Sequence, residues 1–252
     1  MNFDILDKQM RGYEKSLDRC CSKECFLVAR LDGHGFTRMT KKEWSLEKPF
    51  DERFHNLMKE TLVHLMDCGF RIIYGYTQSD EISLLFHKED MAFGRKERKL
   101  LSILAAEASV AFSTRTWMSG IFDCRLMPLP NEETVADYFR WRMEDSHRNS
   151  LNSHCYWMLR KQGKKASEAQ RTIASLSNEK KYDLLLANGI DYDKLPCWQK
   201  HGIGIYHKTT CKEGYNPILK KTCKCERKIL FIEDKLTTGN NYSEFILNFL
   251  KT

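Results

Sequence analysis

The spacing of hydrophobic residues predicts the first secondary-structure elements of the chain. The short apolar run 26–31 stops at Asp32-Gly33, a pattern typical of a buried strand that runs into a turn. From Phe50 onwards, apolar residues recur every three or four positions until Cys68-Gly69, which predicts an amphipathic helix closed by a glycine. A strand followed by a helix is therefore expected.

Four further elements are predicted before residue 130. Residues 71–76 and 82–86 have the pattern of strands and flank the polar turn 77–80, so we expect a β-hairpin there. Apolar residues at helical spacing between 100 and 112 predict a second long helix, and a strand follows near 121–127. The predicted order is βαββαβ.

This order is that of the ferredoxin-like split βαβ unit, an α+β fold in which both helices pack on one face of an antiparallel sheet. In that layout the first strand and the central hairpin can be neighbours. Asp32 at the strand end and Asp80 in the hairpin turn can then meet at one edge of the sheet, although 48 positions separate them. The fold alone specifies no function, because it hosts many chemistries.

The second half of the chain, residues 131–252, predicts a helical and β-hairpin extension packed on the domain of residues 1–130. A long helix is expected over 134–159, with shorter helices near 166–176 and 179–188. Residues 204–207 and 228–233 predict two strands. They are joined by the Lys- and Cys-rich stretch 209–227, which we interpret as a loop or flexible hairpin.

Composition indicates a folded protein without a membrane partner. Hydrophobic residues make up 42% of the 252 residues and aromatic residues 12%, which is enough for a full core and excludes a disordered tail protein. No stretch approaches the roughly 20 apolar residues that cross a bilayer, and no apolar export signal follows Met1, so we expect a cytoplasmic protein. The net charge of +7 only mildly favours a polyanionic partner, because basic and acidic residues are interspersed.

The ten cysteines allow two interpretations. Without an export signal, reduced thiols are the default. Structural zinc is the alternative, although the candidate ligands lack the C-x₂-C spacing of a zinc ribbon. Those candidate ligands are Cys197, His201, His207, Cys211, Cys223 and Cys225.

Candidate chemistry concentrates in two short segments. Arg30-Leu31-Asp32-Gly33-His34-Gly35-Phe36 puts a carboxylate beside two glycines, so that the backbone can approach a phosphate or offer a carbonyl to a metal. Gln78-Ser79-Asp80-Glu81 puts adjacent carboxylates in a hairpin. If Asp32 and Asp80 face each other, they could hold Mg²⁺ ions that bridge a triphosphate and activate an attacking hydroxyl. Asp-Gly and Ser-Asp are also common in turns, so a purely structural role is the alternative.

These segments belong to a set of five motifs that resembles the tRNA-His guanylyltransferase superfamily. In order, the motifs are Arg30-Leu31-Asp32-Gly33-x-x-Phe36, Lys48-Pro49, Gln78-Ser79-Asp80-Glu81, Phe122-Asp123-x-Arg125 and Asp137-Tyr138-x-x-Trp141-Arg142-x-x-Asp145-x-His147. They follow the family's order over about residues 26–160, and their joint occurrence is far more specific than any one of them. The resemblance therefore argues against the alternative that Asp32 and Asp80 have only a structural role in turns.

The resemblance implies an enzyme that adds nucleotides to the 5′ end of tRNA in the 3′-to-5′ direction, on a palm similar to that of ordinary polymerases. The 3′-hydroxyl of the incoming GTP or other nucleoside triphosphate attacks a 5′ phosphate, which is either a triphosphate or has been activated with ATP. A pair of Mg²⁺ ions is implied as the cofactor, tRNA as the partner and a homotetramer as the assembly.

The motifs also carry over roles for individual residues. Asp32 and Asp80 become metal ligands through their side chains and Gly33 through its backbone, and Lys48 joins the two aspartates in catalysis. Nucleotide contacts are implied at Arg30, Gly33, His34, Gly35, Phe36, Ser79, Glu81, Lys96 and Lys99. Glu81 has a supporting role, because adjacent strand residues face opposite sides. For the basic run Arg95–Lys99, which contains Lys96 and Lys99, a solvated helix face is the alternative.

The implied tRNA contacts lie partly in a segment that departs from the family. They are Arg125, Arg142, His147 and Asn149. Enzymes dedicated to tRNA-His carry His-Ile-Asn-Asn in the long helix, whereas this chain has His147-Arg148-Asn149-Ser150. The shorter Thg1-like relatives lack the full motif and resemble template-dependent enzymes that repair truncated tRNA 5′ ends. We therefore expect repair.

Several alternatives to repair remain open. Dedicated addition of G−1 to tRNA-His is one, and a different phosphoryl transfer on a related palm, such as nucleotide cyclisation, is another. The protein could also bind tRNA without catalysing a reaction. For His147 itself, a helix histidine satisfied by its neighbours is the alternative to a tRNA contact.

Overall fold

A six-stranded antiparallel sheet forms the centre of the protein in a computed structural model that describes residues 2–216 and 221–251. Its spatial order is β4-β1-β3-β2-β5-β6. The strands are β1 (Phe26–His34), β2 (Ile72–Gln78), β3 (Glu81–Phe86), β4 (Ile121–Leu129), β5 (Ile203–Asn216) and β6 (Lys221–Glu233). β1 lies between β4 and β3, so it is an interior strand of the sheet.

Helices flank the sheet and connect its strands. They are α1 (Phe3–Lys15), α2 (Phe36–Arg38, continued by a π-helical turn at Met39–Glu43), α3 (Glu52–Leu65), α4 (Glu97–Thr116), α5 (Glu132–Lys161), α6 (Ala166–Ala174), α7 (Asn178–Ala187), α8 (Cys197–His201) and α9 (Asn240–Leu250). Asp51 caps α3 by accepting from the Arg53 N–H at 2.8 Å, and Asn131 caps α5 by accepting from the Thr134 N–H at 2.8 Å. None of the helices in the described part is long and apolar enough to cross a bilayer.

The predicted ferredoxin-like unit is confirmed. β1, α3, β2, β3, α4 and β4 follow one another, and α3 packs against α4 on one face of the sheet. Alternate residues of β1 face opposite sides, so Leu27, Ala29 and Leu31 enter the core under α3 and α4. Val28 instead enters a second core, together with Tyr74 and residues of α5 and α9.

The second core ties the C-terminal helix α9 to the central sheet. The hydroxyls of Tyr74 in β2 and Tyr242 in α9 lie 2.9 Å apart, and both side chains are fully buried. A third apolar cluster joins the second half of α5 to α6 and α7 through Leu151, Ile173 and Leu185. Because β5 pairs with β2, residues after 131 extend the sheet that the first half begins.

In the described part of 209–227 the loop interpretation was wrong and the hairpin interpretation was right, while residues 217–220 lie outside the described residues. β5 continues to Asn216 and β6 starts at Lys221, with unbroken pairing from Gly204↔Glu233 to Asn216↔Lys221. These strands are mostly exposed, so they lack the apolar alternation by which a half-buried strand is recognised. The terminal helices α1 and α9 were not anticipated either.

The structure gives no support to zinc among the described residues. Within the described part of the chain, no three His, Cys, Asp or Glu side chains form a group that could hold a metal ion. Cys197 and Cys211 are free thiols, and the His201 ring stacks on His147. The side chains of Cys223 and Cys225 lie outside the described residues.

Candidate active site

Asp32 and Asp80 lie at neighbouring strand ends, where the βαββαβ order predicted them. Asp32 in β1 is directly opposite Glu81, the first residue of β3. The Gly33 N–H donates a hydrogen bond to the main-chain oxygen of Asp80 at 3.0 Å, which ties the end of β1 to the β2–β3 turn. Ser79 precedes Asp80 in that turn and has a left-handed backbone with φ of 50°. Both aspartates therefore reach one edge of the sheet.

The position after Asp32 requires a glycine because an aromatic ring lies against it. A Cβ on Gly33 would lie 2.5 Å from Cγ and Cδ2 of Phe36. The Phe36 ring is buried and packs against Phe112 and Phe122, so it cannot move aside without disturbing the core. Gly33 thus lets the chain turn over the core immediately after a candidate metal ligand.

Asp80 lacks a counter-ion among the described residues. No ion pair of the described residues includes Asp80, and its carboxylate accepts from Ser79 Oγ at 3.1 Å. Burial raises the pKa of the Asp80 carboxyl, and the nearby Asp32 carboxylate raises it further. A divalent cation shared by the two carboxylates would remove this repulsion.

The donors at this edge fit Mg²⁺ bound together with substrate. Carboxylate and main-chain oxygens are hard ligands, which Mg²⁺ prefers. Since the described residues hold no preformed group of three ligands, the protein would supply only part of the coordination shell. Mg²⁺ commonly keeps waters and substrate phosphate oxygens as its remaining ligands.

Glu81 is engaged by α5. Its carboxylate accepts from Arg142 Nε at 2.7 Å and from the second guanidinium nitrogen at 2.5 Å, and Arg142 also lies 3.3 Å from Asp145 Oδ2. Burial is the largest single influence and lowers the pKa of the Arg142 guanidinium, but the hydrogen bonds to Glu81 and the charges of Glu81 and Asp145 together raise it above its ordinary value. The Arg142 side chain is 8% exposed, so a phosphate contact, as expected from the motif, would require breaking this pair.

Two further arginines surround Asp32. Arg30 Nε and a terminal nitrogen of Arg125 each lie 3.3 Å from Asp32 Oδ2, and Arg30 Nε is also 4.0 Å from Glu81 Oε2. The side chain of Arg30 is 15% exposed and that of Arg125 is 52% exposed. Arg30 therefore pairs with the carboxylates inside the protein, whereas the more exposed Arg125 is also accessible to an external anion.

A cavity of about 830 Å³ extends from the two aspartates. Its wall is formed by residues at the ends of β1 and β3, by the segment 36–55 and by residues of α5, α6, α7 and α8. The predicted site residues in its wall are Asp32, Phe36, Lys48, Ser79, Asp80, Glu81, Arg142 and Asn149. Those outside its wall are Arg30, Gly33, His34, Gly35, Lys96, Lys99, Arg125 and His147.

Lys48 lies in the cavity wall beside a second lysine. Its ammonium donates to the Thr40 carbonyl at 2.6 Å and lies 5.8 Å from the centre of the Trp157 ring. Burial lowers the pKa of Lys48, and the charge of Lys41 lowers it further. Two like charges on one wall favour a polyanionic ligand.

The basic run at the start of α4 lies apart from this cavity. Arg95 is 2% exposed and donates to the main-chain oxygens of Ser22, Cys25, Lys88 and Asp90, so it organises the chain rather than a ligand. Lys96 lies 3.1 Å from Asp18, and Lys99 is exposed. The structure thus brings neither Lys96 nor Lys99 to the cavity wall around the two aspartates.

His147 and Asn149 point in different directions on α5. His147 Nε2 is 2.8 Å from the Tyr182 hydroxyl and its ring stacks on His201, so it joins α5 to α7 and α8. Burial lowers the pKa of His147, followed by the charge of Lys200. Asn149 donates to Asp145 Oδ2 at 3.1 Å and lines the cavity.

The motifs did not identify the deeper wall of the cavity. On α5, beside the predicted Asn149, that wall consists of Ser146, Ser150, Asn152, Ser153, Tyr156 and Trp157. Several of them recur at three- and four-residue steps, which marks one helix face. This polar stripe within a long, partly buried helix is the signal that could have revealed them. Lys181 of α7 faces the same space.

Two family models match successive parts of this chain. The tRNAHis guanylyltransferase family model matches residues 7–130, and the Thg1 C-terminal domain model matches residues 133–239. The tRNA(His) guanylyltransferase of Schizosaccharomyces pombe is 29% identical over 94% of this chain and 97% of that protein. The probable tRNA(His) guanylyltransferase of Drosophila melanogaster is 31% identical over 73% of this chain and 67% of that protein. The chain spans 40% of the length of tRNA(His) guanylyltransferase 1 of Arabidopsis thaliana, to which it is 29% identical.

Solved structures share the whole fold. A bacterial tRNA(His) guanylyltransferase (Thg1)-like protein in complex with GTP has a TM-score of 0.75 at 24% identity, over 98% of this chain and 99% of that chain. The complex of such a bacterial protein with ATP has a TM-score of 0.77 at 23% identity, over 98% of this chain and 100% of that chain. From the motifs, the fold and the matched relatives together, this chain belongs to the tRNA(His) guanylyltransferase family of nucleotidyltransferases.

Proposed function

We propose that this chain adds nucleotides to the 5′ end of tRNA in the 3′-to-5′ direction, directed by a template base, and so repairs truncated tRNAs. The observation that carries the proposal is the juxtaposition of Asp32 and Asp80 on a cavity of about 830 Å³. That volume falls within the range of roughly 300–1,000 Å³ common for ligand pockets. Membership of the tRNA(His) guanylyltransferase family supports tRNA as the polymer.

In this proposal Asp32 and Asp80 hold the cations through their carboxylate oxygens, and Gly33 contributes its carbonyl. When bound, Mg²⁺ would neutralise charge on the triphosphate and lower the pKa of the attacking hydroxyl. The cluster of Arg30, Arg125 and Asp32 keeps the Asp32 carboxylate oriented at 3.3 Å from each guanidinium. Glu81 acts indirectly, by fixing α5 against the strand end through Arg142.

The proposed step forms a bond between the incoming 3′-hydroxyl oxygen and the phosphorus at the tRNA 5′ end, and the hydroxyl proton passes to solvent. The bond that joins this phosphorus to pyrophosphate breaks, and pyrophosphate leaves. When the end was activated with ATP, the bond to AMP breaks instead and AMP leaves. Lys48, with Lys41 nearby, offers positive charge to the phosphates from the cavity wall. The GTP and ATP complexes of the structural neighbours support both nucleotides as ligands here.

Dedicated addition of G−1 to tRNA-His is the second candidate. The curated relatives favour it, since those from Schizosaccharomyces pombe and Drosophila melanogaster are named for that reaction. His147-Arg148-Asn149-Ser150 favours repair, because dedicated enzymes carry His-Ile-Asn-Asn there. In this chain His147 contacts Tyr182 rather than facing the cavity.

A template test distinguishes these functions. The protein is incubated with Mg²⁺, labelled GTP and 5′-triphosphorylated tRNAs that lack their first nucleotide, with either C or A opposite the gap. Intact tRNA-His without G−1 is the third substrate. Repair predicts label only opposite C, and dedicated addition predicts label on tRNA-His whatever the opposing base. Binding of tRNA without label in any arm would leave a non-catalytic tRNA-binding protein and reject both enzyme functions.

We also propose that the protein forms a homotetramer and works in the cytoplasm. The assembly is supported by α1, which has no buried residue and exposes Phe3, Leu6, Met10 and Tyr13 at alternating three- and four-residue steps. Such a seam is typical of helices that associate with other helices. Sedimentation gives the mass directly, and a monomeric mass at micromolar concentration would reject the assembly.

A further inference from the structure

The β5–β6 hairpin leaves the sheet as a free-standing ribbon. β2 pairs with β5 only from Thr77↔Ile203 to Tyr74↔Tyr206, whereas β5 and β6 remain paired to Asn216↔Lys221. From His207 onward, β6 is the sole strand neighbour of β5 among the described residues. Ten residue pairs continue beyond that point, which corresponds to roughly 33 Å at about 3.3 Å per residue.

The ribbon carries most of the net positive charge of the protein. Its described residues, 207–216 and 221–228, contain six Lys or Arg and two Glu, a net charge of +4, whereas the whole chain carries +7. The other 234 residues therefore have a net charge of only +3. Charge that is dilute over the chain as a whole is concentrated in one projecting element.

Charges on the ribbon are also divided between its two faces. On one face the described cations are Lys208, Lys221 and Arg227, and no described carboxylate between residues 207 and 228 shares that face; the next one on it is Glu233, where β6 rejoins the sheet. Both glutamates, Glu213 and Glu226, lie on the other face, which the uninterrupted register assigns by alternation. Lys208 is additionally held 5.0 Å from the centre of the Phe231 ring. We call the first face the basic face.

The basic face lies on the same side of the sheet as the Asp32 side chain. Strand pairing relates Asp32 to Tyr206 through β3 and β2, and Lys208 follows Tyr206 on the same face. β5 starts opposite Thr77, near the catalytic turn, and runs away from it. A single nucleotide at Asp80 cannot reach the ribbon, but a polyanion several tens of ångströms long can contact both.

Lysines on exposed strands also protect a protein against edge-to-edge aggregation. That role needs charge near the open edges and does not require the carboxylates to share one face. An isolated two-stranded hairpin is moreover marginally stable in water, so a ribbon of this length gains from a partner along its side.

We propose that the basic face of the β5–β6 ribbon binds the sugar-phosphate backbone of tRNA at a distance from the 5′ end. The proposal rests on tRNA as substrate in the proposed function, and it assigns a second, sequence-independent contact. Lys208, Lys221 and Arg227 would each contact phosphate. Such contacts place the tRNA body while the 5′ end occupies the cavity at Asp32 and Asp80.

The test measures tRNA affinity without nucleotide or Mg²⁺, so it does not depend on catalysis. The ribbon variant is Lys208→Gln/Lys221→Gln/Arg227→Gln. The matched control, Lys8→Gln/Lys180→Gln/Lys235→Gln, removes the same charge from exposed positions elsewhere. Dissociation constants for full-length tRNA and for a short acceptor-stem hairpin are determined by fluorescence anisotropy at several KCl concentrations.

We expect the ribbon variant to bind full-length tRNA at least about tenfold more weakly, with a salt slope reduced by about 2–3. The control should change affinity by less than about twofold, and the short hairpin should bind wild type and ribbon variant equally. Equal affinity of wild type and ribbon variant for full-length tRNA overturns the proposal, as does an equal loss in the control. A loss that accompanies a change in sedimentation mass assigns the ribbon to self-association and also overturns it. Failure of the wild type to bind any tRNA would instead reject the proposed function.

Discussion

Arg142 of α5 donates two hydrogen bonds to the carboxylate of Glu81 in β3, and Asp32 lies directly opposite Glu81 on β1. The long helix is thereby fixed against the strand end that carries a candidate metal ligand. Both side chains are buried, so little water can hydrate the remaining charge if one partner is removed. The geometry of the site therefore depends on a contact between the two halves of the chain.

Arg142→Ala should lower the free energy of unfolding by about 3–5 kcal/mol, because it leaves Glu81 buried without a counter-ion. Urea denaturation measures the change. Arg148→Ala is the matched control: Arg148 contacts Asp145 at the surface, so its loss should cost less than about 1 kcal/mol. The double variant Glu81→Gln/Arg142→Met should be less destabilised than Arg142→Ala. Equal effects of Arg142→Ala and Arg148→Ala would contradict a buried, functional ion pair.

Gly33→Ala should destabilise the protein by about 1–3 kcal/mol and reduce nucleotide addition, because its methyl group overlaps the Phe36 ring. Gly12→Ala serves as the comparison: Gly12 lies in exposed α1, where an added methyl group meets nothing within 4 Å, so alanine should stabilise by about 1 kcal/mol. Thermal unfolding of the two variants gives the contrast. A harmless Gly33→Ala would show that the turn after Asp32 tolerates a side chain.

Asp80→Asn should stabilise the metal-free protein at pH 7, and the gain should shrink as the pH falls. The folded-state pKa of Asp80 is raised, so folded wild type loses stability as pH rises from the ordinary aspartate pKa of about 3.9 through the raised value. The asparagine variant lacks this loss. Denaturation in EDTA at pH 7 and pH 4 tests it, and a difference that is the same at both pH values would refute it.

Adding Mg²⁺ to wild type and to Asp80→Asn complements the denaturation experiment in EDTA. A cation held by Asp32 and Asp80 should raise the melting temperature of wild type, since it binds only the folded state. It should leave Asp80→Asn almost unchanged. An equal shift in both proteins would place Mg²⁺ binding elsewhere.

Tyr242→Phe should cost about 1–3 kcal/mol, because the buried Tyr74 hydroxyl loses its partner at 2.9 Å. The double variant Tyr74→Phe/Tyr242→Phe should recover much of that loss, since no hydroxyl is then left unpaired. A double-mutant cycle by denaturation gives the coupling free energy. A coupling near zero would mean that α9 is held by apolar contacts alone.

The catalytic unit could be predicted from sequence because its strands and helices have one buried face each. Period-two and period-3.6 patterns identify β1, α3, the hairpin and α4, and the order of these elements places Asp32 beside Asp80. The same patterns cannot reveal the pairing of Arg142 with Glu81, because 61 positions separate the two residues. Nor do they reveal that Lys96 contacts Asp18 instead of the cavity.

The ribbon shows the other limit of pattern analysis. Its strands are exposed on both sides, so side-chain burial imposes no alternation on their sequence. Backbone pairing in register defines β5 and β6 beyond Tyr206, and a long-range strand pairing leaves little trace in local sequence. Its excess of lysine was visible in the sequence, but the segregation of charge by face requires the register.

The most direct test of the central claim is label incorporation by Asp32→Asn and Asp80→Asn with a triphosphorylated, truncated tRNA, Mg²⁺ and labelled GTP. Each variant should lose at least about 1,000-fold in rate, as expected when a ligand of a catalytic metal pair is removed, with tRNA affinity and the far-ultraviolet circular dichroism spectrum unchanged. Incorporation at the wild-type rate by either variant would contradict the assignment of that carboxylate to the catalytic site.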